Sequence, residues 1–162
     1  SAALHRAKQS GRNTFQFFTR QMQEQARNVL QIENDLRRAL DQNEFLLHYQ
    51  PQVDAKTAQI IGVEALIRWQ HPQNGLVSPG IFIPIAEECG LIVEIGAWVL
   101  HTAIQQAADW QTAGLPIVPV AVNLSVVQFR QETLYSTVAQ ALRNSKLDPA
   151  MLELEMTELA PP

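Results

Sequence analysis

Carboxylate and amide side chains recur near the ends of three predicted strands. Glu64, Asn123 and Glu155 each lie on the polar side of a strand whose other side is apolar. Arg68 follows Glu64 on the same polar side. Two carboxylates and an amide oxygen form a hard donor set, which suits Mg²⁺ or Mn²⁺ better than a structural zinc. With an arginine that can hold a phosphate, this set predicts phosphoester hydrolysis.

The hydrophobic pattern predicts four strands that must position these residues. They run from Phe45 to Val53, Ile60 to Trp69, Val118 to Ser125 and Met151 to Thr157. Long helical connections favour a largely parallel sheet, open or closed into a barrel, and an antiparallel sheet with one face in water remains the alternative. In a barrel, active sites lie at the C-terminal strand ends. The residues that would converge there are Glu64, Arg68, Asn123, Glu153 and Glu155.

Between the second and third strands, the pattern predicts a loop and two helices. Proline and glycine place the loop at residues 71–80. Pro84 can begin a short helix that Gly90 ends, and a longer helix then ends at Gly114. A further helix is predicted from Gln131 to Ser145.

Four ring-bearing residues near these elements are interpreted as structural. Trp98 and Trp110 lie on the apolar stripe of the longer helix, which predicts core positions. His48 is interpreted as an interior or rim histidine, and His71 as a solvated or turn residue.

Residues before Phe45 predict a short strand and a helix. Thr14 to Phe18 has the composition of a strand, while Thr19 to Gln42 shows nearly helical periodicity in its apolar residues. Two interpretations of the helix stay open. It is either an exposed linker or a helix that dimerises or transmits a signal.

Composition restricts the class of protein. A length of 162 residues and 46% hydrophobic residues allow a sizeable core and exclude global disorder. The net charge of −4 argues against DNA or RNA polymers and against an anionic membrane as partners. No apolar run approaches the length of a membrane span. The single cysteine, Cys89, fits a reducing compartment, so we expect a cytoplasmic segment.

Four ordered motifs resemble those of EAL domains, a family of cyclic-di-GMP phosphodiesterases built on a modified (β/α)₈ barrel. The motifs are Tyr49-Gln50-Pro51, Glu64-Ala65-Leu66-Ile67-Arg68-Trp69, Val122-Asn123-Leu124-Ser125 and Glu153-Leu154-Glu155-Met156-Thr157-Glu158. The resemblance covers roughly Leu36 to Glu158. It implies an α/β fold that holds about the first four strands of a TIM-type barrel.

The resemblance also implies roles for individual residues. Glu64, Asn123 and Glu155 would bind Mg²⁺ or Mn²⁺, and Glu64 would be catalytic. Gln50, Leu66 and Arg68 would contact the nucleotide, with Arg68 on a phosphate. A water activated by the metal would then open cyclic-di-GMP to linear pGpG.

A division into three parts follows from the same resemblance. Residues 1–18 resemble the tail of a GGDEF domain, 19–42 form the linker helix, and 43–162 form the first half of an EAL domain. The Asp-Asp pair and the later Lys and Glu of the family are absent from this sequence. We therefore expect a fragment of a longer bacterial signalling protein, weak or no metal binding, and no turnover by the fragment alone.

Three functions remain open. The parent is a phosphodiesterase, or it is an inactive domain that senses cyclic-di-GMP, or the fragment is a dimerising interaction module. We expect a homodimer in each case, because a half-barrel exposes sheet edges. Membrane tethering of the parent through other segments is left open.

Overall fold

A computed structural model describes the backbone of residues 12–157 and the side chains from Thr19 onward. Contacts divide the chain into two compact units, Ser1–Asp35 and Leu36–Pro162. Most of the predicted GGDEF-like tail, residues 1–11, lies outside the described residues. Within the described part, no helix is both long and apolar enough to cross a membrane.

The first described element is a long helix, α1 (Arg12–Asp41). The prediction of a strand at Thr14–Phe18 is wrong, because this segment is helical. A strand must find hydrogen-bond partners on another strand, whereas a helix satisfies its backbone groups within the segment. The side chains from Thr19 to Leu30 are all exposed, including those of Met22 and Leu30. This exposure agrees with either interpretation of the helix.

The second unit alternates strands and helices after an initial hairpin. Its strands are β1 (Phe45–Val53), β2 (Ile60–His71), β3 (Gly75–Val77), β4 (Val120–Ser125) and β5 (Leu152–Thr157). Its α-helices are α2 (Pro79–Cys89), α3 (Ile92–Thr112), α4 (Val126–Phe129) and α5 (Leu134–Ser145), and a 3₁₀ turn spans Pro149–Met151. The four predicted strands are confirmed, and β3 is an additional strand.

The strands form a mixed sheet in the order β1-β2-β4-β5, with β3 paired to β2. β2, β4 and β5 run parallel, but β1 is antiparallel to β2. The expectation of a largely parallel sheet is therefore wrong at β1. A short turn joins β1 to β2, and only antiparallel strands can be joined so closely. The Asp54 carboxylate stabilises this turn by accepting hydrogen bonds from the backbone N–H groups of Lys56 and Thr57 at 2.8 and 3.0 Å.

The segment predicted as a loop, residues 71–80, contains more structure than expected. His71 is buried rather than solvated, and its Nδ1 accepts hydrogen bonds from the backbone N–H groups of Gln73 and Asn74, both at 3.1 Å. His71 is the last residue of β2 and pairs with Gly75, so it adjoins the turn rather than lying in it. Ser78 caps α2, so the helix begins at Pro79 and Pro84 lies inside it. Gly90 ends this helix with φ of 83°, as predicted.

The core lies between one face of the sheet and the helices α2 and α3. The Phe45 ring packs against Trp69 and Trp98, with centroid distances of 6.0 and 5.9 Å. The Tyr49 ring meets Trp110 edge-on at 4.9 Å, and burial raises the pKa of Tyr49 to about 12. Trp98 and Trp110 are therefore half-buried against the sheet rather than fully in the core.

The opposite face of the sheet carries the polar residues. His48 lies there and is exposed, so of its two interpretations the rim position agrees with the structure and the interior position does not. In β1 and β2, the residues that alternate with Phe45, Tyr49 and Trp69 point away from α3. This arrangement places Glu64 on the opposite face from Phe45, Tyr49 and Trp69.

Candidate functional site

Strand register brings the predicted site residues onto neighbouring strands. Gln50 on β1 pairs with Glu64 on β2, and Asn123 on β4 pairs with Glu155 on β5. Glu64 lies beside Ala121, two residues before Asn123 on the same strand. Residues in lateral register point to the same face of a sheet, so these side chains share one face.

A hydrogen bond joins two of the predicted metal ligands. The Asn123 side-chain Nδ2 donates to the Glu64 Oε1 at 2.9 Å, and both side chains are half-buried. A hydrogen bond to a carboxylate is stronger than one between neutral groups, so it holds Glu64 in a fixed orientation. Because the amide nitrogen faces Glu64, the carbonyl oxygen of Asn123 is directed elsewhere and can serve as a ligand.

A cavity opens beside this hydrogen bond. β2 and β4 pair only from Val63 to Ala65 and from Val120 to Val122, and beyond these residues the two strands separate. The cavity there has a volume of about 330 Å³. Its polar lining consists of Glu64, Arg68, Glu87, Asn123, Ser125, Gln128 and Thr157.

Apolar side chains form the remaining walls of the cavity. Leu66 and Ile67 come from β2, Ile83 from α2, and Ile95 and Val99 from α3. An apolar cavity with a few convergent polar groups is typical of a small-molecule site. Arg68 can bind an anionic group such as a phosphate, while Glu64 and Asn123 offer oxygen ligands for a cation.

The six predicted site residues differ in their relation to this cavity. Glu64, Leu66, Arg68 and Asn123 line it. Gln50 and Glu155 are exposed and do not line it, although each lies next to a residue that does. The Arg68 guanidinium lies along its own strand, where Nη1 donates to the backbone carbonyl of Ile67 at 2.8 Å.

Several residues of the cavity had no predicted role. Ser125 and Gln128 form a capping box at the start of α4. The Thr157 hydroxyl donates to the backbone carbonyl of Leu124 at 3.3 Å, which ties the ends of β4 and β5 together. The spacing Ser-x-x-Gln after a strand is a recognised signal for a capping box and could have identified the first pair.

The residues present fit a hard divalent cation in chemistry. Among the described side chains, residues 19–157, no three from histidine, cysteine, aspartate or glutamate gather at one point. The predicted set differs from such a cluster because its third member, Asn123, is an amide. Two carboxylates and an amide oxygen on three adjacent strands are ligands that Mg²⁺ and Mn²⁺ accept.

Comparison with known proteins identifies relatives along nearly the whole chain. The bifunctional diguanylate cyclase/cyclic di-GMP phosphodiesterase MucR of Pseudomonas aeruginosa is 48% identical over 157 residues, which cover 97% of this chain and 23% of MucR. The cyclic di-GMP phosphodiesterase PdeR of Escherichia coli is 36% identical over 156 residues, or 96% of this chain and 23% of PdeR. The chain thus spans about a quarter of the length of these two relatives.

Solved structures show the same fold. The PaMucR phosphodiesterase in complex with c-di-GMP matches with a TM-score of 0.76 and 49% identity, over 79% of this chain and 52% of that one. The Xanthomonas citri FimX EAL domain in complex with c-di-GMP matches with a TM-score of 0.72 and 28% identity, over 84% and 52%. The family model for the EAL domain matches residues 33–161. This chain therefore belongs to the EAL-domain family.

Proposed function

We propose that this chain forms part of an EAL domain that hydrolyses cyclic-di-GMP to linear pGpG. The observation that carries the proposal is the Asn123–Glu64 hydrogen bond, at 2.9 Å, in a cavity that Arg68 also lines. The names of MucR and PdeR describe cyclic-di-GMP phosphodiesterases, and the solved PaMucR and FimX structures contain this nucleotide.

Each residue has a definite task in this proposal. Glu64, Asn123 and Glu155 would hold Mg²⁺ or Mn²⁺, and Glu64 is the catalytic member of the set. A bound divalent cation supplies charge stabilisation at a phosphoryl oxygen and lowers the pKa of a coordinated water. Asn123 orients Glu64 through the amide hydrogen bond.

The remaining predicted residues bind the nucleotide. Arg68 would exchange its hydrogen bond to the Ile67 carbonyl for a phosphate, since a guanidinium matches phosphate geometry with two donors. Leu66 would offer an apolar contact on the cavity wall. Gln50, exposed beside Glu64, would contribute a polar contact at the rim.

We also propose that the chain is one part of a longer signalling protein and does not turn over substrate alone. It covers 52% of the solved PaMucR chain, and the family resemblance implies further ligands that this sequence lacks. The boundaries at residues 18/19 and 42/43, the partial barrel, the homodimer and the cytoplasmic location all stay predictions.

A second candidate function is a sensor that binds cyclic-di-GMP without cleaving it. Glu155 is exposed and does not line the cavity that Glu64 and Asn123 line, so a sensor would use only these two of the predicted ligands. A site with an incomplete ligand set retains Arg68 and the apolar walls for binding, but it lacks the means to activate water.

Hydrolysis of cyclic-di-GMP by the full-length protein in Mn²⁺ separates these functions. The wild-type protein should release pGpG, and Glu64→Ala should lower turnover at least about 100-fold because it removes a metal ligand. Glu88→Ala is the matched control, since this carboxylate on α2 is exposed and does not line the cavity. Nucleotide binding without pGpG would establish the sensor instead. Wild-type turnover by the Glu64 variant would refute the ligand assignment.

A further inference from the structure

We propose that Gln128 is a positioning residue for the candidate site. Gly96 has no side chain and so leaves the room that the Gln128 side chain occupies. This inference rests on the proposed function, because it concerns the same ligand set. Gln128 is only 5% exposed, although it lies on a helix of four residues where a polar side chain could easily reach solvent.

Two hydrogen bonds fix Gln128 to the end of β4. Its side-chain Oε1 accepts from the backbone N–H of Ser125 at 3.0 Å. Its own backbone N–H donates to the Ser125 hydroxyl at 3.2 Å. These bonds close the turn between β4 and α4 on both sides, so the backbone at Ser125 has one arrangement. Asn123 lies two residues earlier on the same strand.

Gly96 on α3 lies against the side-chain amide of Gln128. It lies inside α3, where glycine is less favourable than alanine, and its backbone is not among the positive-φ glycines. A methyl group built at Gly96 would overlap the side-chain amide of Gln128. A glycine is therefore needed at position 96 because Gln128 occupies the space of a side chain, and not because of the backbone conformation.

The contacts form a continuous path from α3 to the predicted metal ligands Asn123 and Glu64. Gly96 and Gln128 both line the cavity, together with Ser125. The path continues from Ser125 along β4 to Asn123, whose amide donates to Glu64. Displacement of Gln128 would release the turn, and Asn123 would lose its fixed approach to Glu64.

A double-mutant cycle in the full-length protein tests this role. The variants are Gln128→Ala, Gly96→Ala and the two combined, with Gln140→Ala as control because Gln140 is an exposed glutamine on α5. The apparent Kd for Mn²⁺ is measured from the electron paramagnetic resonance signal of free Mn²⁺. Each single variant should raise this Kd about tenfold, as expected for a group that orients a ligand.

Non-additivity is the decisive expectation. The three heavy atoms nearest to a methyl at Gly96 all belong to the Gln128 side-chain amide. Removal of this amide relieves the overlap, so the double variant should bind Mn²⁺ no more weakly than Gln128→Ala. Gln128→Glu should restore most of the affinity, because glutamate also completes a capping box. If a single variant fails to unfold cooperatively, Gln128→Glu and Gln128→Met supply the comparison. Methionine keeps the length of the side chain but not its hydrogen bonds.

The outcomes distinguish this inference from the proposed function. Additive losses, or an unchanged Kd in Gln128→Ala and Gln128→Met, would overturn the positioning role. Mn²⁺ binding by wild-type protein without hydrolysis would overturn the phosphodiesterase proposal alone. Absence of Mn²⁺ binding in the wild type would overturn both.

Discussion

Replacement of Asn123 by aspartate tests the electrostatics of the site. Asn123→Asp keeps the size of the side chain but exchanges the amide donor, 2.9 Å from Glu64, for a second carboxylate. Two unit charges about 4 Å apart interact by about 4 kcal/mol at an effective dielectric constant near 20. Both positions are half-buried and partly screened, so we expect a cost of about 1–3 kcal/mol in the free energy of unfolding at pH 8.

The cost should depend on pH with a definite sign. Repulsion raises the pKa of a carboxyl of the pair above its unfolded value. Well below that raised pKa, one carboxyl of the pair is protonated and the repulsion is absent. As the pH rises through the raised pKa, both groups ionise and stability is lost. Asn123→Asp should therefore be much closer to wild type at pH 4.5 than at pH 8.

Urea denaturation at these two pH values, without divalent cations, measures the effect. Asn123→Ala is the control, because it removes the same hydrogen bond without adding charge. Asn123→Ala should lower the unfolding free energy by about 1 kcal/mol, and this loss should be nearly independent of pH. If the aspartate variant loses the same stability at both pH values, or matches the alanine variant throughout, the close approach of the Asn123 and Glu64 side chains is wrong.

Three further predictions concern the framework of the site. In a Tyr135→Phe variant, Tyr49 is the remaining tyrosine of this sequence, and absorbance at 295 nm should show its phenol ionising near pH 12. Folding stability should be lost as the pH rises from about 10 towards 12. A titration midpoint near pH 10 would contradict the burial of Tyr49. Gly90→Ala should lower the unfolding free energy by about 1–2 kcal/mol in urea denaturation, because φ is 83° there; an unchanged value would exclude a left-handed cap. Trp69→Phe should lower the unfolding free energy by about 1–3 kcal/mol in the same measurement, because it removes the hydrogen bond from Nε1 to the Glu44 carboxylate at 3.2 Å. Glu44→Gln keeps an acceptor for this hydrogen bond and should lower the unfolding free energy less.

Much of the strand structure could be predicted because alternation is a local property. β1 has the predicted bounds, and β4 and β5 begin within two residues of their predicted starts. The direction of β1 could not be obtained in the same way, since alternation is identical in parallel and antiparallel strands. The short connection after Val53 contained that information. Thr14–Phe18 was predicted wrongly because strand composition says nothing about whether a partner strand is present.

The candidate site was predictable where it depends on one face of a strand. Glu64 and Asn123 follow from alternation and neighbouring strand order, and the structure brings them into contact. Gln128 and Gly96 were not predicted, because their relation depends on how a helix packs against a turn distant in sequence. Glu155 has the expected register, but register alone does not establish that a side chain reaches a cavity.

The short pairing between β2 and β4 has a consequence for the order of folding. The β1–β2 hairpin closes through a short turn, so its contacts are local and form rapidly. β2 and β4 are separated by α2 and α3, and joining them over only three residue pairs requires closure of a long loop. The Glu64–Asn123 hydrogen bond spans this junction. We therefore expect the site to form later in folding than the β1–β2 hairpin.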